Sequence, residues 1–269
     1  MAIITISRGT FSGGQILAEC IAEKLGYRCI SREVLVGAAR QYGVQLEKLS
    51  KALAEPPGFL HRFSEDRAHY LAYIRADLCN EVKDDRVVYH GLAGHLLLRG
   101  LPNVLRVRVI ADMEFRIKAA MERQNLSREK AMEFIQKIDE KRVKWTRFLY
   151  HADWSDPSLH DIIINLEHIG INDACDIVCQ VASLDKFKVT QESQKVCDNM
   201  FLSAEVRAAL AGSKGISDAG IEIEADGGII TIGGTVGSLK DADKIKDMVR
   251  KMPGVKEVNS HMHVLSTNL

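Results

Sequence analysis

Hydrophobic positions at the start of the chain form a short continuous run and then a spaced pattern. The apolar, largely β-branched residues 3–6 predict a buried strand. Small residues follow over Gly9–Gly14, and apolar residues then recur at helical spacing from Gln15 to Leu25, with Gly26 as a helix stop. A strand, a glycine turn and a helix in this order predict a phosphate site, because N–H groups of the turn and the helix N-terminus attract anions.

The remainder of residues 1–184 alternates predicted strands with predicted helices. Strands are expected at 27–30, 86–90, 104–110 and 160–165. Helices are expected at 32–41 with Ser31 as its cap, and at 45–54, 64–82, 94–98, 112–123, 127–150 and 171–184. This alternation predicts an α/β fold, a parallel sheet with helices on both faces, and a ligand site beyond the carboxyl ends of the strands.

The pattern changes after residue 184. Residues 185–198 are polar with little periodicity and are predicted to be a linker. Residues 199–269 predict a small α+β domain with a helix at 202–211, a hairpin that turns at Asp226–Gly228, a helix at 240–251 and a last strand at 255–264. The chain therefore divides into a first domain over 1–184 and a second over 199–269.

Composition excludes several classes of partner. The 36 lysines and arginines equal the 36 aspartates and glutamates, and aromatic residues make up 6%, which argues against a nucleic-acid surface. We find neither an apolar run of membrane-spanning length nor a signal-peptide pattern, so we expect no transmembrane segment. Six scattered cysteines without a C-x-x-C motif predict a reduced, cytoplasmic location, with Cys175 and Cys179 in the core.

The glycine turn only partly follows the Walker A phosphate-binding pattern. Gly9 and Gly14 have the required spacing, but Gln15 stands at the lysine position and Ile16 at the position of the magnesium-binding hydroxyl. The turn alone therefore does not distinguish a phosphate site from an ordinary strand-to-helix connection.

The glycine turn belongs to a longer motif, since residues 6–18 read I-S-R-G-T-F-S-G-G-Q-I-L-A. This segment resembles I-S-R-x-x-G-S-G-G-R-x-I-A, which is typical of the cytidylate kinase-like family of P-loop nucleoside monophosphate kinases. Six further segments are similar to the family in order and spacing: Ala111–Arg116, Leu126–Ala131, Asp139–Arg142, Arg147–Tyr150, Trp154–Leu159 and Asp161–Asn165. The resemblance covers about residues 1–184 and implies a P-loop kinase-type sheet.

Residues 199–264 resemble the BON domain. The resemblance rests on the hydrophobic strands, on Pro253–Asn259 and on four glycines: Gly228, Gly233, Gly234 and Gly237. It implies a non-catalytic module that binds a ligand or protein, and no residue identifies that partner.

The kinase resemblance implies transfer of the ATP γ-phosphoryl group to a CMP-like nucleotide, with Mg²⁺. The implied donor-binding residues are Arg8, Gly9, Ser12, Gly13, Gly14, Gln15 and Ile16. The implied catalytic residues of a helical lid are Arg116, Arg123, Asp139 and Arg142, and Arg147 is a further candidate. The implied acceptor-binding residues are Arg32, Glu33 and Gly91, and no metal site built from side chains is expected.

Four departures from the family keep other interpretations open. Gln15 carries no charge, Ile16 has no metal ligand, Leu92 stands where relatives often have arginine, and Phe11 replaces a glycine. One alternative is therefore a catalytically degenerate nucleotide sensor that signals through the BON domain, and another is a scaffold without a ligand. The lid arginines could equally be a solvated helix face, with Asp139 and Arg142 as an ordinary surface pair.

Overall fold

The computed structural model describes residues 2–54, 64–213 and 220–264, and five parallel strands form its larger sheet. The strands lie in the order β2-β3-β1-β4-β5. Their bounds are β1 (Ile3–Arg8), β2 (Arg28–Ile30), β3 (Val87–Tyr89), β4 (Val104–Ile110) and β5 (Ile162–Asn165). The predicted α/β fold with a parallel sheet is confirmed.

Helices cover both faces of this sheet, because the apolar strands bury side chains on both sides. The helices are α1 (Gly14–Leu25), α2 (Glu33–Tyr42), α3 (Leu46–Ala54), α4 (Ser64–Glu81), α5 (Gly94–Leu97), α6 (Met113–Gln124), α7 (Arg128–Tyr150) and α8 (Ile171–Ala182). One apolar core lies against α1 and α8, and the other lies against α2 to α4.

Local capping explains where several helices begin. The side chain of Asp112 accepts a hydrogen bond from the Phe115 N–H, and that of Ser127 accepts one from the Lys130 N–H, so these residues cap α6 and α7. Ser31 does not cap α2, which corrects that prediction. Its N–H instead donates to Glu33 Oε2 at 2.6 Å, and α2 begins after Arg32.

Most of the residues predicted as a linker, 185–198, are helical. A 3₁₀ turn at Asp185–Phe187 leads into α9 (Gln191–Ala211), which Thr190 starts with a capping box. Cys197 and Phe201 are buried in the core against α4, and this long-range packing stabilises a helix whose sequence is locally polar. The predicted helix at 202–211 is the second half of α9.

A second, smaller sheet contains β6 (Ile221–Asp226), β7 (Ile229–Val236) and β8 (Glu257–Val264). β6 and β7 form the predicted antiparallel hairpin, and β8 pairs in parallel with β7. Its core contains residues of α10 (Leu239–Arg250) together with Val206 and Leu210 of α9. The α9 helix therefore contributes to the cores of both sheets.

Among residues 2–54, 64–213 and 220–264, no helix combines the length and the hydrophobicity that a membrane span requires.

Candidate functional site

Hydrogen bonds and close packing fix the backbone conformation of the glycine turn between β1 and α1. Buried Ser12 donates its hydroxyl proton to the carbonyl oxygens of Gly9 at 3.0 Å and Val109 at 3.3 Å. Gly13 has a φ of 85°, and a Cβ added at Gly14 would lie 2.7 Å from the side chain of Arg8. The turn therefore requires small residues, as the phosphate-site prediction supposed.

The first N–H groups of α1 are available to a ligand. Within the described part of the chain, no oxygen accepts a hydrogen bond from the N–H groups of Gly13, Gly14 or Gln15. Such groups lie at the positive end of the helix dipole, where an anion is stabilised. The backbone therefore fits a phosphate group.

The side chains at the start of α1 do not add positive charge. Gln15 Nε2 donates to Glu19 Oε1 at 2.9 Å on the exposed side of the helix, and Ile16 is 42% exposed. Phe11 has a φ of 60°, a conformation that glycine adopts more readily. These departures from the family pattern therefore change the side chains that the turn presents to a ligand.

Helices α6 and α7, which carry the predicted lid residues, lie against the turn. Asp139 Oδ1 accepts hydrogen bonds from the N–H of Thr10 at 3.2 Å and from its hydroxyl at 2.7 Å. Asp139 also forms an ion pair with Arg116, whose Nε donates to the Thr10 carbonyl at 2.8 Å. Arg142 donates to the Arg8 carbonyl at 3.0 Å. The structure thus brings three of the four predicted lid residues to the turn.

The other lid arginines are more peripheral. Arg123 is exposed. Burial of Arg8 is the main cause that lowers the pKa of Arg8, and the positive charge of Arg123 lowers it further. Arg147 is 70% exposed and lies 3.7 Å from Asp153. Arg123 therefore acts on the site electrostatically, while Arg147 pairs outside it.

A cavity of about 490 Å³ opens beside the turn. It lies beyond the carboxyl ends of β1 and β3, where the alternating fold predicts a ligand. Four of its lining side chains are cationic, namely Arg8, Arg32, Lys141 and Arg142. None of the described residues that line it is an aspartate or glutamate. The cavity therefore fits an anionic group next to the turn.

Burial lowers the pKa of the two arginines nearest the turn without making them neutral. Burial is the main cause that lowers the pKa of Arg142, to about 10, and the nearby Arg8 and Arg116 act in the same direction. Burial also lowers the pKa of Arg8, which lies against His90 with its Nε 3.4 Å from the His90 carbonyl oxygen. Arg142 is therefore cationic at neutral pH and only partly paired with Asp139, 3.8 Å away.

The three predicted acceptor residues have different positions. Arg32 and Gly91 line the cavity, but Glu33 does not. The Glu33 carboxylate accepts hydrogen bonds from its own backbone N–H and from that of Ser31, and these lower the pKa of Glu33. A Cβ at Gly91 would lie 2.2 Å from the Tyr89 hydroxyl, so this position excludes a side chain.

Trp154, which lines the cavity, and Arg108, which lies against the Trp154 ring, were not predicted as site residues. Trp154 donates its indole N–H to Ser7 Oγ at 3.1 Å. The guanidinium carbons of Arg108 and Arg142 lie 4.7 and 5.8 Å from its ring centroid. The alternating charge of Arg106 and Arg108 on a buried strand was the sequence signal that could have identified Arg108.

Two buried histidines lie at the back of this region. The rings of His95 and His160 are 4.7 Å apart, and His95 lines the cavity. Burial, with neighbouring positive charge, lowers the pKa of His95 to about 3 and that of His160 to about 4. Both imidazoles are therefore neutral at physiological pH.

No group of three or more histidine, cysteine, aspartate or glutamate side chains in the described ranges is arranged to hold a metal ion. His261 and His263 are exposed on β8.

Two family models match separate parts of the chain. The model of the cytidylate kinase-like family matches residues 3–168, and the model of the BON domain matches residues 202–266.

Individual relatives agree with the first match. A protein named cytidylate kinase from Staphylothermus marinus is 27% identical over 183 residues, which cover 66% of this chain and 94% of the relative. Another of that name from Archaeoglobus fulgidus is 27% identical over 192 residues, covering 70% and 99%. The crystal structure of an uncharacterized protein from Eubacterium ventriosum is 22% identical, with a TM-score of 0.52 over 68% of this chain and 98% of that one, which shows a similar fold.

Proposed function

This chain belongs to the cytidylate kinase-like family, and we propose that it transfers the γ-phosphoryl group of ATP to a CMP-like nucleotide. The observation that carries the proposal is the adjacency of the glycine turn and the cationic cavity. Arg8, which directly precedes the turn, lines the cavity, and Arg142 lines it too and donates to the Arg8 carbonyl. A donor phosphate on the turn and an acceptor phosphate in the cavity would meet between these two guanidinium groups.

The turn provides the proposed donor site through its backbone. The N–H groups of Gly13, Gly14 and Gln15, which have no acceptor among the described residues, would donate to an anion at the start of α1, and Gly14 leaves no space for a side chain beside Arg8. Bound ATP supplies the phosphoryl group, and its Mg²⁺ neutralises phosphate charge. Ile16 cannot ligate that ion, so we propose that phosphate and water oxygens hold it.

The proposed catalytic contribution of the chain is electrostatic. Arg116 and Arg142 reach the turn from the lid, and Arg8 reaches the cavity from the end of β1. Phosphoryl transfer needs charge stabilisation and alignment more than covalent chemistry, so preorganised guanidinium groups are suited to it. Arg123 would add long-range positive potential, and Asp139 would orient Arg116.

The acceptor would be held by the walls of the cavity. Arg32 and Lys141 add positive charge, and the aromatic rings of Tyr89, Trp145 and Trp154 offer apolar surface to a base. Arg142 lies near both Trp154 and the turn, so it would align the acceptor phosphate with the donor. We place this reaction in the cytoplasm, where ATP is abundant.

A second candidate is a catalytically degenerate nucleotide sensor. Gln15 is hydrogen bonded to Glu19, Ile16 is exposed, and Leu92 lines the cavity where relatives often carry arginine. The helix α9 favours this candidate, because it packs against α4 of the kinase-like region and also enters the core of the BON region. We propose that α9 joins a kinase-like domain over 1–184 to a BON-like domain over 199–269, whose ligand or protein partner is unknown.

A coupled ADP-release assay on the full chain separates these candidates. ATP and Mg²⁺ are supplied with each common nucleoside monophosphate, and thermal shift is recorded with the same ligands. We expect acceptor-dependent ADP release and stabilisation by the same acceptor. Stabilisation without ADP release would favour the sensor, and the absence of both would favour a scaffold.

A further inference from the structure

The carboxylate of Asp139 occupies donors at Thr10, next to the free N–H groups of the turn, that a phosphate oxygen could also use. It accepts both the N–H and the hydroxyl of Thr10, forms an ion pair with Arg116 and lies 3.8 Å from Arg142. A backbone N–H, a hydroxyl and two guanidinium groups form a typical set of partners for a phosphate. An acidic side chain of the chain itself therefore interacts with donors that an incoming phosphate would need.

Other contacts hold the lid in the same position. Arg116 Nε donates to the Thr10 carbonyl, and Arg142 donates to the Arg8 carbonyl. Phe11 packs against the apolar cluster between α6 and α7, with its ring centroid 6.1 Å from that of Phe134. The lid is thus attached to the turn by polar contacts at Thr10 and by an apolar contact at Phe11.

We propose that Asp139 is an internal competitor of the donor phosphate, and that Asp139 and Thr10 form a latch between the lid and the turn. This inference rests on the proposed function, because it takes the turn as the donor site. A negatively charged phosphate next to the Asp139 carboxylate is repelled, so binding at the Thr10 N–H displaces the carboxylate. Arg116 and Arg142 then exchange one anionic partner for another.

The latch predicts an unusual direction of change for a site residue. Removing a carboxylate that only positions Arg116 would weaken nucleotide binding. Removing a competitor strengthens it, because the ligand no longer has to break the contacts at Thr10. The sign of the change in ATP affinity therefore separates the two roles.

The test is isothermal titration of ATP, without an acceptor, into the full chain and into Asp139→Asn. This substitution keeps the shape of the side chain and removes its charge. We expect about five- to tenfold tighter binding, the size of effect that loss of one competing charge-assisted contact produces. Glu140→Gln is the matched control, since Glu140 is the next residue on α7, is 66% exposed and pairs with Lys144 away from the turn.

Amide hydrogen exchange of the free protein provides a second measurement that needs no nucleotide. The latch predicts faster exchange over residues 9–14 in Asp139→Asn and unchanged exchange in Glu140→Gln. ATP affinity that is equal or lower in Asp139→Asn, or exchange like that of the unsubstituted chain, would overturn the latch. If no variant binds ATP while exchange is faster in Asp139→Asn, the contact is a latch but the proposed donor site is wrong.

Discussion

The glycine turn and the cavity beside it differ in the charge that they supply. The turn offers backbone N–H groups, Gln15 points to Glu19, and Asp139 places a carboxylate against Thr10. The cavity is lined by four cationic side chains and, among the described residues, by no carboxylate. The two regions share Arg8 and Arg142, so the positive charge of the proposed donor site is supplied from the acceptor side and from the lid.

This difference indicates which departures from the family pattern matter. A lysine missing from the turn removes a charge that the cavity and lid can replace, because their arginines lie against Arg8 and Thr10. Loss of a shared arginine has no such replacement. We therefore expect variants of the shared residues to have larger effects than variants of the turn side chains.

The largest expected effect is that of Arg142→Ala. The side chain lines the cavity and contacts the turn, so its loss removes charge from both sites. We expect kcat to fall by about 10²- to 10³-fold, typical for one transition-state donor. The measurement is steady-state ADP release with thermal unfolding alongside. Lys144→Ala, on an exposed part of the same helix, is the control, and equal effects of the two substitutions would show that the lid assignment is wrong.

Gly14→Ala should affect both regions through Arg8. Its new Cβ would lie 2.7 Å from Arg8 Cβ and Cδ, so the arginine or the start of α1 must move. We expect a loss of stability of about 1–3 kcal/mol, as for overpacking elsewhere, and weaker binding of both ATP and the acceptor. Gly26→Ala, at a glycine with φ of 64° and open space around it, is the control for backbone strain alone. Denaturant unfolding and two separate ligand titrations would measure these effects, and a change confined to ATP would contradict the shared role of Arg8.

The histidines behind the cavity predict a pH dependence of stability. Burial lowers the pKa of His95 to about 3 and that of His160 to about 4, so the unfolded chain binds more protons than the folded chain at mildly acidic pH. Their contribution is fully present above the usual histidine pKa of about 6.5 and is lost as the pH falls towards 4. His95→Gln should flatten the fall in unfolding free energy between pH 6.5 and 4.5. His168→Gln, at a histidine whose side chain is 87% exposed, should leave it unchanged.

The smallest effect is expected from Gln15→Lys, which restores a cation to the turn. Because Arg8 and the lid already provide positive charge, we expect ATP to bind only a few-fold more tightly, as for a partly exposed charge pair. Calorimetric titration of ATP would measure the change. No change in affinity would argue against a phosphate cradle at this turn.

Local patterns in the sequence predicted the elements well. The strand at Val104–Ile110 and the helix that follows Ser127 lie where alternation and capping placed them. The helix over the predicted linker was not foreseen, because the burial of Cys197 and Phe201 depends on α4, more than a hundred residues away in the chain. Local periodicity contains no information about such a partner.

The sequence predicted only part of the candidate site. The resemblance identified Arg116, Asp139 and Arg142, which the structure brings to the turn. It did not predict that Asp139 contacts Thr10, since spacing along α7 indicates only neighbours on the same helix. Trp154 and Arg108 were missed as a pair because their contact joins a loop to β4, which is distant in the sequence.

A bisubstrate ligand tests the adjacency of the two sites most directly. Adenosine and cytidine joined by a pentaphosphate would place a donor phosphate on the turn and an acceptor nucleoside in the cavity. Both tryptophans of the chain line that cavity, so intrinsic fluorescence reports its occupation. We predict saturable quenching with an affinity well above that of ATP or CMP alone. An affinity no higher than that of ATP would contradict a donor turn and an acceptor cavity that act side by side.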